Sequence, residues 1–221
     1  MTAELERDRH HAIAAASRPI VLPMARCRLA AVVGFLAVLS LIAGTPVSLC
    51  QTAKAQPGLP NFGRVTDNLY RGGQPTAKGF DSLHDMGIGM IVNFRNDRDE
   101  IAVEKRQVES LGMKYVGIPW SANHRPSSAQ IAEFLDLVRA NPDTKIFVHC
   151  RRGADRTGVM IASYRIAVEH ESTTEAISEM HRFHYDWLFQ PQLKRYIESL
   201  PGLLQDDRHF ANYRPQLSGT K

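Results

Sequence analysis

From residue 64 onward, apolar positions switch repeatedly between two periods. Residues 78–86 carry Phe80 and Leu83 on one helical face, and "IGMIVNF" at 88–94 is a continuous apolar, β-branched run that reads as a strand. A polar helix is predicted over 99–111, then a strand over "MKYVGI" at 113–118. A clear helical period follows through Ile131, Phe134, Leu135 and Val138, over 127–140, and stops at Asn141-Pro142. "KIFVH" is the next strand, with a helix over 156–168 behind it. Two more helical periods run through Ala176, Ile177, Met180 and Phe183, and through Leu193, Tyr196, Ile197 and Leu200. Residues 201–221 are expected to be an irregular tail. Strands alternating with helices predict an α/β domain over 64–200, with a small, largely parallel central sheet flanked by helices. Ligands bind such sheets beyond the carboxyl ends of the strands, which is where His149 and Cys150 fall.

The beginning of the chain has a different pattern. "RLAAVVGFLAVLSLIAGTPVSLC", residues 28–50, has no charge after its first residue and follows Arg26. With the small-x-small pattern of Ala53-Lys54-Ala55, residues 1–55 read as a leader for export to the periplasm or beyond, and Met24 is an alternative start. The uncharged run is also long enough to cross a bilayer, so a retained anchor, with membrane association through residues 29–50, is the competing expectation. Residues 56–63 then read as a Pro/Gly-containing linker.

Composition adds little. At 221 residues, 43% hydrophobic and with a formal charge of +4, the chain is an ordinary globular protein with a mild basic bias, too weak to indicate nucleic acid. The three cysteines say more: removal of the leader takes Cys27 and Cys50 with it and leaves Cys150 without a disulfide partner.

Cys150 ends an apolar run and stands six residues before Arg156, in "HCRRGADRTG". A strand ending at Cys150 and a helix beginning near Arg156 curl the backbone amides of Arg151, Arg152, Gly153, Ala154 and Asp155 into an anion-binding nest. The same field favours the thiolate of Cys150, the form that attacks. Arg156 has the planar fork to clamp two phosphoryl oxygens, and Gly153 allows a left-handed turn. Thr157 is expected to donate its hydroxyl hydrogen to the sulfur, and His149 to order the loop. Arg151 and Arg152 raise the positive potential at the mouth. Arginine and backbone donors supply the positive field, so neither metal nor cofactor is implied.

This loop resembles the signature of the cysteine-based protein tyrosine phosphatases: His149, Cys150, Gly153, Arg156, Thr157 and Gly158 all match. "NLYRGGQPTAKGFDSLHDMGIGMIVNFR" looks like the opening of bacterial and fungal dual-specificity phosphatase-like proteins. The resemblance implies that fold, Cys150 as nucleophile and a phospho-cysteine intermediate. The expected substrate is a phosphorylated protein, with a phosphoinositide or inositol phosphate as the alternative and an inactive phosphate-binding module as the remaining one.

One part departs from the family pattern. The loop that usually carries a general-acid Asp corresponds to residues 118–128, and no carboxylate occurs between Glu109 and Glu133. Asp155 is the expected replacement, at the position where myotubularin-like phosphatases carry a carboxylate. Pairing with Arg152 is the structural alternative, and His124 is the other candidate donor. Trp120 and His124 are assigned to the pocket rim, with Asp97 and Asp99 as more distant rim candidates.

Overall fold

The computed structural model describes residues 56–121 and 123–214. In chain order these form β1 (Gly63–Arg64), β2 (Leu69–Gly72), α1 (Ala77–Asp85), β3 (Ile88–Asn93), α2 (Arg98–Ser110), β4 (Lys114–Gly117), α3 (Ser128–Arg139), β5 (Lys145–His149), α4 (Asp155–Ala167), α5 (Thr173–Arg182), α6 (Pro191–Asp206) and a 3-10 turn over Arg208–Tyr213. The strand order is β1-β2-β5-β3-β4. All neighbours are parallel except β1, which runs antiparallel to β2. The expected largely parallel sheet is therefore present, with one short antiparallel edge.

β5 lies in the middle, and Val148 is in register with both Arg71 and Val92. A strand covered on both faces reads as an unbroken apolar run rather than an alternating one, which is what "KIFVH" shows. Its side chains alternate between two cores. Phe147 joins Leu59, Phe62, Tyr70, Phe80, Ile91 and Val108 on the side of α1 and α2. Ile146 and Val148 join Val92, Phe134, Val159, Ile161, Ile177 and Ile197 on the side of α3 to α6.

Capping explains where several helices begin. Thr76 accepts from the Gly79 amide at the start of α1, and reciprocal capping boxes, Ser127 with Gln130 and Ser172 with Glu175, open α3 and α5. α4 has no apolar stripe because it is buried on nearly every side. Its position follows from the strand and loop before it, not from periodicity.

Three expectations change. Residues 56–63 are folded rather than a bare linker, since Leu59 and Phe62 are buried against Phe80 and Phe147. The expected irregular tail contains the end of α6, which continues through Pro201, and the 3-10 turn. Pro201 removes one backbone donor from the helix, but Leu200, Leu204, Phe210 and Tyr213 still bury their side chains in the core, and the Tyr213 hydroxyl donates to Asp136 Oδ1 at 2.9 Å. Finally, among the described residues no helix is long and apolar enough to cross a membrane. The expected membrane association and membrane anchoring are corrected to that extent: the described residues provide no such helix. Residues 1–55, on which both rested, lie outside the described residues.

Phe210 is fully buried although it lies ten residues past the last expected element. Phe210→Ala is expected to lower unfolding free energy by about 3–5 kcal/mol in urea titrations. A loss below about 1 kcal/mol would mean that the turn contributes little to the core.

Candidate active site

Cys150 follows β5 directly and is almost fully buried. The chain turns through 151–154, with Gly153 at φ +74°, and enters α4 at Asp155. A Cβ on Gly153 would lie 2.4 Å from the carbonyl carbon of Gly72 and 2.5 Å from the amide nitrogen of Gly73. A Cβ on Gly73 would meet the Arg152 carbonyl carbon at 3.0 Å. Two backbone turns thus touch at a place where neither tolerates a side chain, which accounts for "RGGQ" at the end of β2.

The carbonyls of this segment are bonded to donors outside the loop or in the helix that follows. His149 O accepts from the Phe94 amide at 3.0 Å, Arg151 O from the Gln74 amide at 3.1 Å and Ala154 O from the Gly158 amide at 2.8 Å. Arg152 O accepts from Asn61 Nδ2 at 3.2 Å, and Gly153 O from Arg71 Nη2 at 3.1 Å. With the carbonyls so engaged, the loop amides and the unpaired amides of the first turn of α4 are left as donors for an anion.

Arg156 is buried and held by three acceptors on one nitrogen. Nη1 donates to Phe94 O at 3.3 Å, Trp120 O at 3.2 Å and Asn96 Oδ1 at 3.3 Å. The ends of β3 and of the segment after β4 therefore orient the guanidinium. Trp120 is buried in the core and contributes its carbonyl here, so it does not form the expected rim. His124 is exposed, its amide donating to Ser121 O at 3.2 Å. Asp97 pairs with Arg95 at 3.0 Å, and Asp99 lies exposed in the first turn of α2.

Two buried polar groups around the loop were not found from sequence. Glu104, from α2, accepts from His149 Nε2 at 2.9 Å, Asn93 Nδ2 at 3.1 Å and Gln74 Nε2 at 2.7 Å. Burial alone would push the Glu104 carboxyl up, but the bonds from His149, Gln74 and Asn93 outweigh it and hold the group below its ordinary value. The Glu104 bond also assigns a proton to His149 Nε2. Arg71, from β2, is fully buried. It bonds Glu179 Oε1 at 3.3 Å as well as the Gly153 carbonyl, and its guanidinium lies 3.8 Å from the centre of the Phe183 ring. Burial lowers its pKa to about 10 against the opposing pull of Glu179, so it remains a cation at neutral pH. The signals were present but faint: Glu104 stands four residues before Val108 on the inner stripe of α2, and Arg71 interrupts a short buried strand.

Asp155 Oδ2 accepts from Arg152 Nη2 at 2.5 Å, the pairing weighed as its structural role. Its Oδ1 is nevertheless buried without a hydrogen-bond partner. Thr157 Oγ1 is also buried without one, so the expected bond to the Cys150 sulfur is not formed here. Arg151 and Arg152 are exposed at the mouth.

A buried cysteine at the end of a central parallel strand, an amide nest closed by a helix start and an arginine fixed behind it define a cysteine-dependent phosphatase. Residues 55–191 match the family described as DSP-PTPase phosphatase fused to NAD+ kinase, and the chain belongs to that family. It is 28% identical to the dual specificity protein phosphatase TpbA of Pseudomonas aeruginosa over 165 residues, 71% of each chain. The fold is similar to the crystal structure of P. aeruginosa TpbA in complex with pTyr, with a TM-score of 0.58 and 23% identity over 68% of this chain and 90% of the other. It is also similar to the core catalytic domain of the PP-IP phosphatase SIW14 from S. cerevisiae in complex with citrate, with a TM-score of 0.56 and 23% identity over the same shares.

The lowered Glu104 group contributes stability that is fully present above its ordinary value of 4.5 and is lost as pH falls through the folded value. Glu104→Gln is expected to destabilise the fold at neutral pH and to flatten the loss of stability below about pH 4. Urea midpoints measured across that range check this, and parallel curves for the two proteins would contradict it.

Proposed function

We propose that the chain hydrolyses phosphomonoesters on proteins, phosphotyrosine foremost, through a phospho-cysteine at Cys150. The observation that carries this reading is the buried Cys150 at the head of an amide nest whose arginine is held in place by three backbone and side-chain acceptors. In the first step the thiolate attacks phosphorus, a P–S bond forms and the P–O ester bond breaks. The leaving oxygen takes a proton from Asp155. In the second step water attacks phosphorus, its proton passes to Asp155, the P–S bond breaks and the thiolate returns. Arg156 and the loop amides follow the phosphoryl oxygens through both steps. Thr157 is assigned to the departing sulfur in the second step, since its unpartnered hydroxyl is a donor in reserve. The buried Oδ1 of Asp155, which has no partner, and the absence of a carboxylate from 118–128 favour Asp155 over the exposed His124 as proton carrier.

The partner expectation is corrected toward a phosphorylated protein. The relative TpbA is named a dual specificity protein phosphatase and has been solved with pTyr. The inactive-module alternative is set aside because both the nucleophile and its arginine are present.

Cys150→Ser is expected to abolish turnover of an aryl phosphate in the presence of chelator while changing stability by less than about 1 kcal/mol. Retention of most activity would remove the covalent mechanism. Asp155→Ala is expected to lower kcat by about 100-fold on a phosphoserine peptide, but by less than about tenfold on an aryl phosphate with an acidic leaving group. Equal losses on the two substrates would assign Asp155 to shaping the loop through Arg152.

A further inference from the structure

Between α5 and α6 the chain presents three consecutive large apolar side chains to solvent. Trp187, Leu188 and Phe189 are 51%, 67% and 80% exposed. Water contact at three such neighbours is unfavourable, and a contiguous exposed apolar patch is a common mark of a binding surface.

This loop is built rather than loose. Tyr185, buried at its base, donates its hydroxyl to Gln190 O at 2.5 Å and accepts from the Lys194 amide at 3.1 Å, so the two ends of the loop are tied together. His184, at φ +64°, turns the chain out of α5. The Leu188 amide donates to Asp186 Oδ1 at 3.0 Å, closing a local turn under the apolar tip. The tip is thus held outward by the bonds beneath it.

Its position is beside the cysteine loop. One side chain, Asn61, bridges the two segments, donating through Nδ2 both to Arg152 O at 3.2 Å and to Phe183 O at 3.0 Å. Phe183 also lies under the Arg71 guanidinium that bonds Gly153 O. The charges of Asp186 and Arg152 are close enough to act on one another. A molecule that delivers a phosphate to Cys150 therefore passes a mouth lined by two exposed arginines and, next to it, an apolar ledge.

We propose that Trp187, Leu188 and Phe189 form a substrate-docking ledge that takes apolar side chains flanking the phosphorylated residue of a polypeptide. The inference rests on the phosphoprotein reading of the active site and extends it to sequence preference. Charge complementarity selects the occupant: Arg151 and Arg152 attract the phosphate-bearing end, and the ledge accepts uncharged apolar neighbours. A free inositol phosphate, polar on every side, would gain nothing from such a ledge.

The test uses the full-length chain, wild type and Trp187→Ser/Phe189→Ser, with three substrates: an aryl phosphate, a phosphotyrosine peptide flanked by leucines and the same peptide flanked by serines. Both substitutions are at exposed positions, and equal urea midpoints for the two proteins would show that the variant folds. Turnover of the aryl phosphate is expected to be unchanged. For the leucine-flanked peptide kcat/KM is expected to fall by about tenfold through KM, and for the serine-flanked peptide by less than about twofold. An equal fall on both peptides, or no fall on either, would overturn the ledge while leaving the phosphatase reading intact. Wild-type binding to anionic phospholipid vesicles that disappears in the variant, with peptide kinetics unchanged, would reassign the patch to a bilayer and also overturn the proposal. A wild type that hydrolyses none of the three substrates would sink the phosphatase reading and the ledge together.

Discussion

A backbone that turns a run of amides toward one point sends the attached carbonyls the other way, and each buried carbonyl needs a donor. That constraint organises the surroundings of Cys150. Gln74, Asn61 and Arg71 come from the segment before α1 and supply donors to Arg151, Arg152 and Gly153, while Phe94 serves His149 from the end of β3. The nest is thus the inner face of a shell whose outer face is bonded to several other segments. Leaving one of these carbonyls without a donor would cost about 1–3 kcal/mol and release the amide geometry on the other side of the same peptide.

The electrostatics follow from the same arrangement. Arg71 reaches the loop only by burying a full positive charge, and Glu179 on α5 offsets it. Glu179 is in turn shared with Arg165 of α4 at 2.7 Å, and Arg165 pairs with Glu169. Such a chain is stable only when complete, since removing one member leaves its neighbour charged in a medium that solvates it poorly. The link therefore joins β2, α4 and α5 around the loop, with Arg71 the member that bonds the loop itself. On the opposite side Glu104 performs the matching task for His149, but as an anion satisfied by three donors.

Much of this was legible in the chain itself, because apolar period and the strand-loop-helix spacing are local signals. β3, β4, β5 and the helices from α1 to α4 fall within a residue or two of where the pattern puts them, and Cys150, Arg156 and the loop between them come together as the spacing implies. What was not legible depends on long-range contact. Arg71 looks polar until Glu179, more than a hundred residues later, is folded against it. Pro201 reads as a stop because the reason for continuing, burial of Leu204 and Phe210, lies in the tertiary packing. The rim assignment of Trp120 also changes with the tertiary packing. In the fold its ring belongs to the core, and only its carbonyl serves Arg156.

The place of β5 in the sheet has a consequence for how the molecule comes into being. It is the last of the five strands along the chain, yet it lies between β2 and β3, which precede it by many residues. Until β5 has been synthesised, the two earlier strands face a gap and present open edges that can pair with other chains. Closing the gap requires parallel pairings of high sequence separation, a slow kind of step. The strand that closes it also carries the nucleophile, so the sheet and the reactive centre are completed in one event. A chain halted before residue 145 would hold most of the strands, no Cys150 and an unsealed sheet, the condition in which a chaperone has most to recognise.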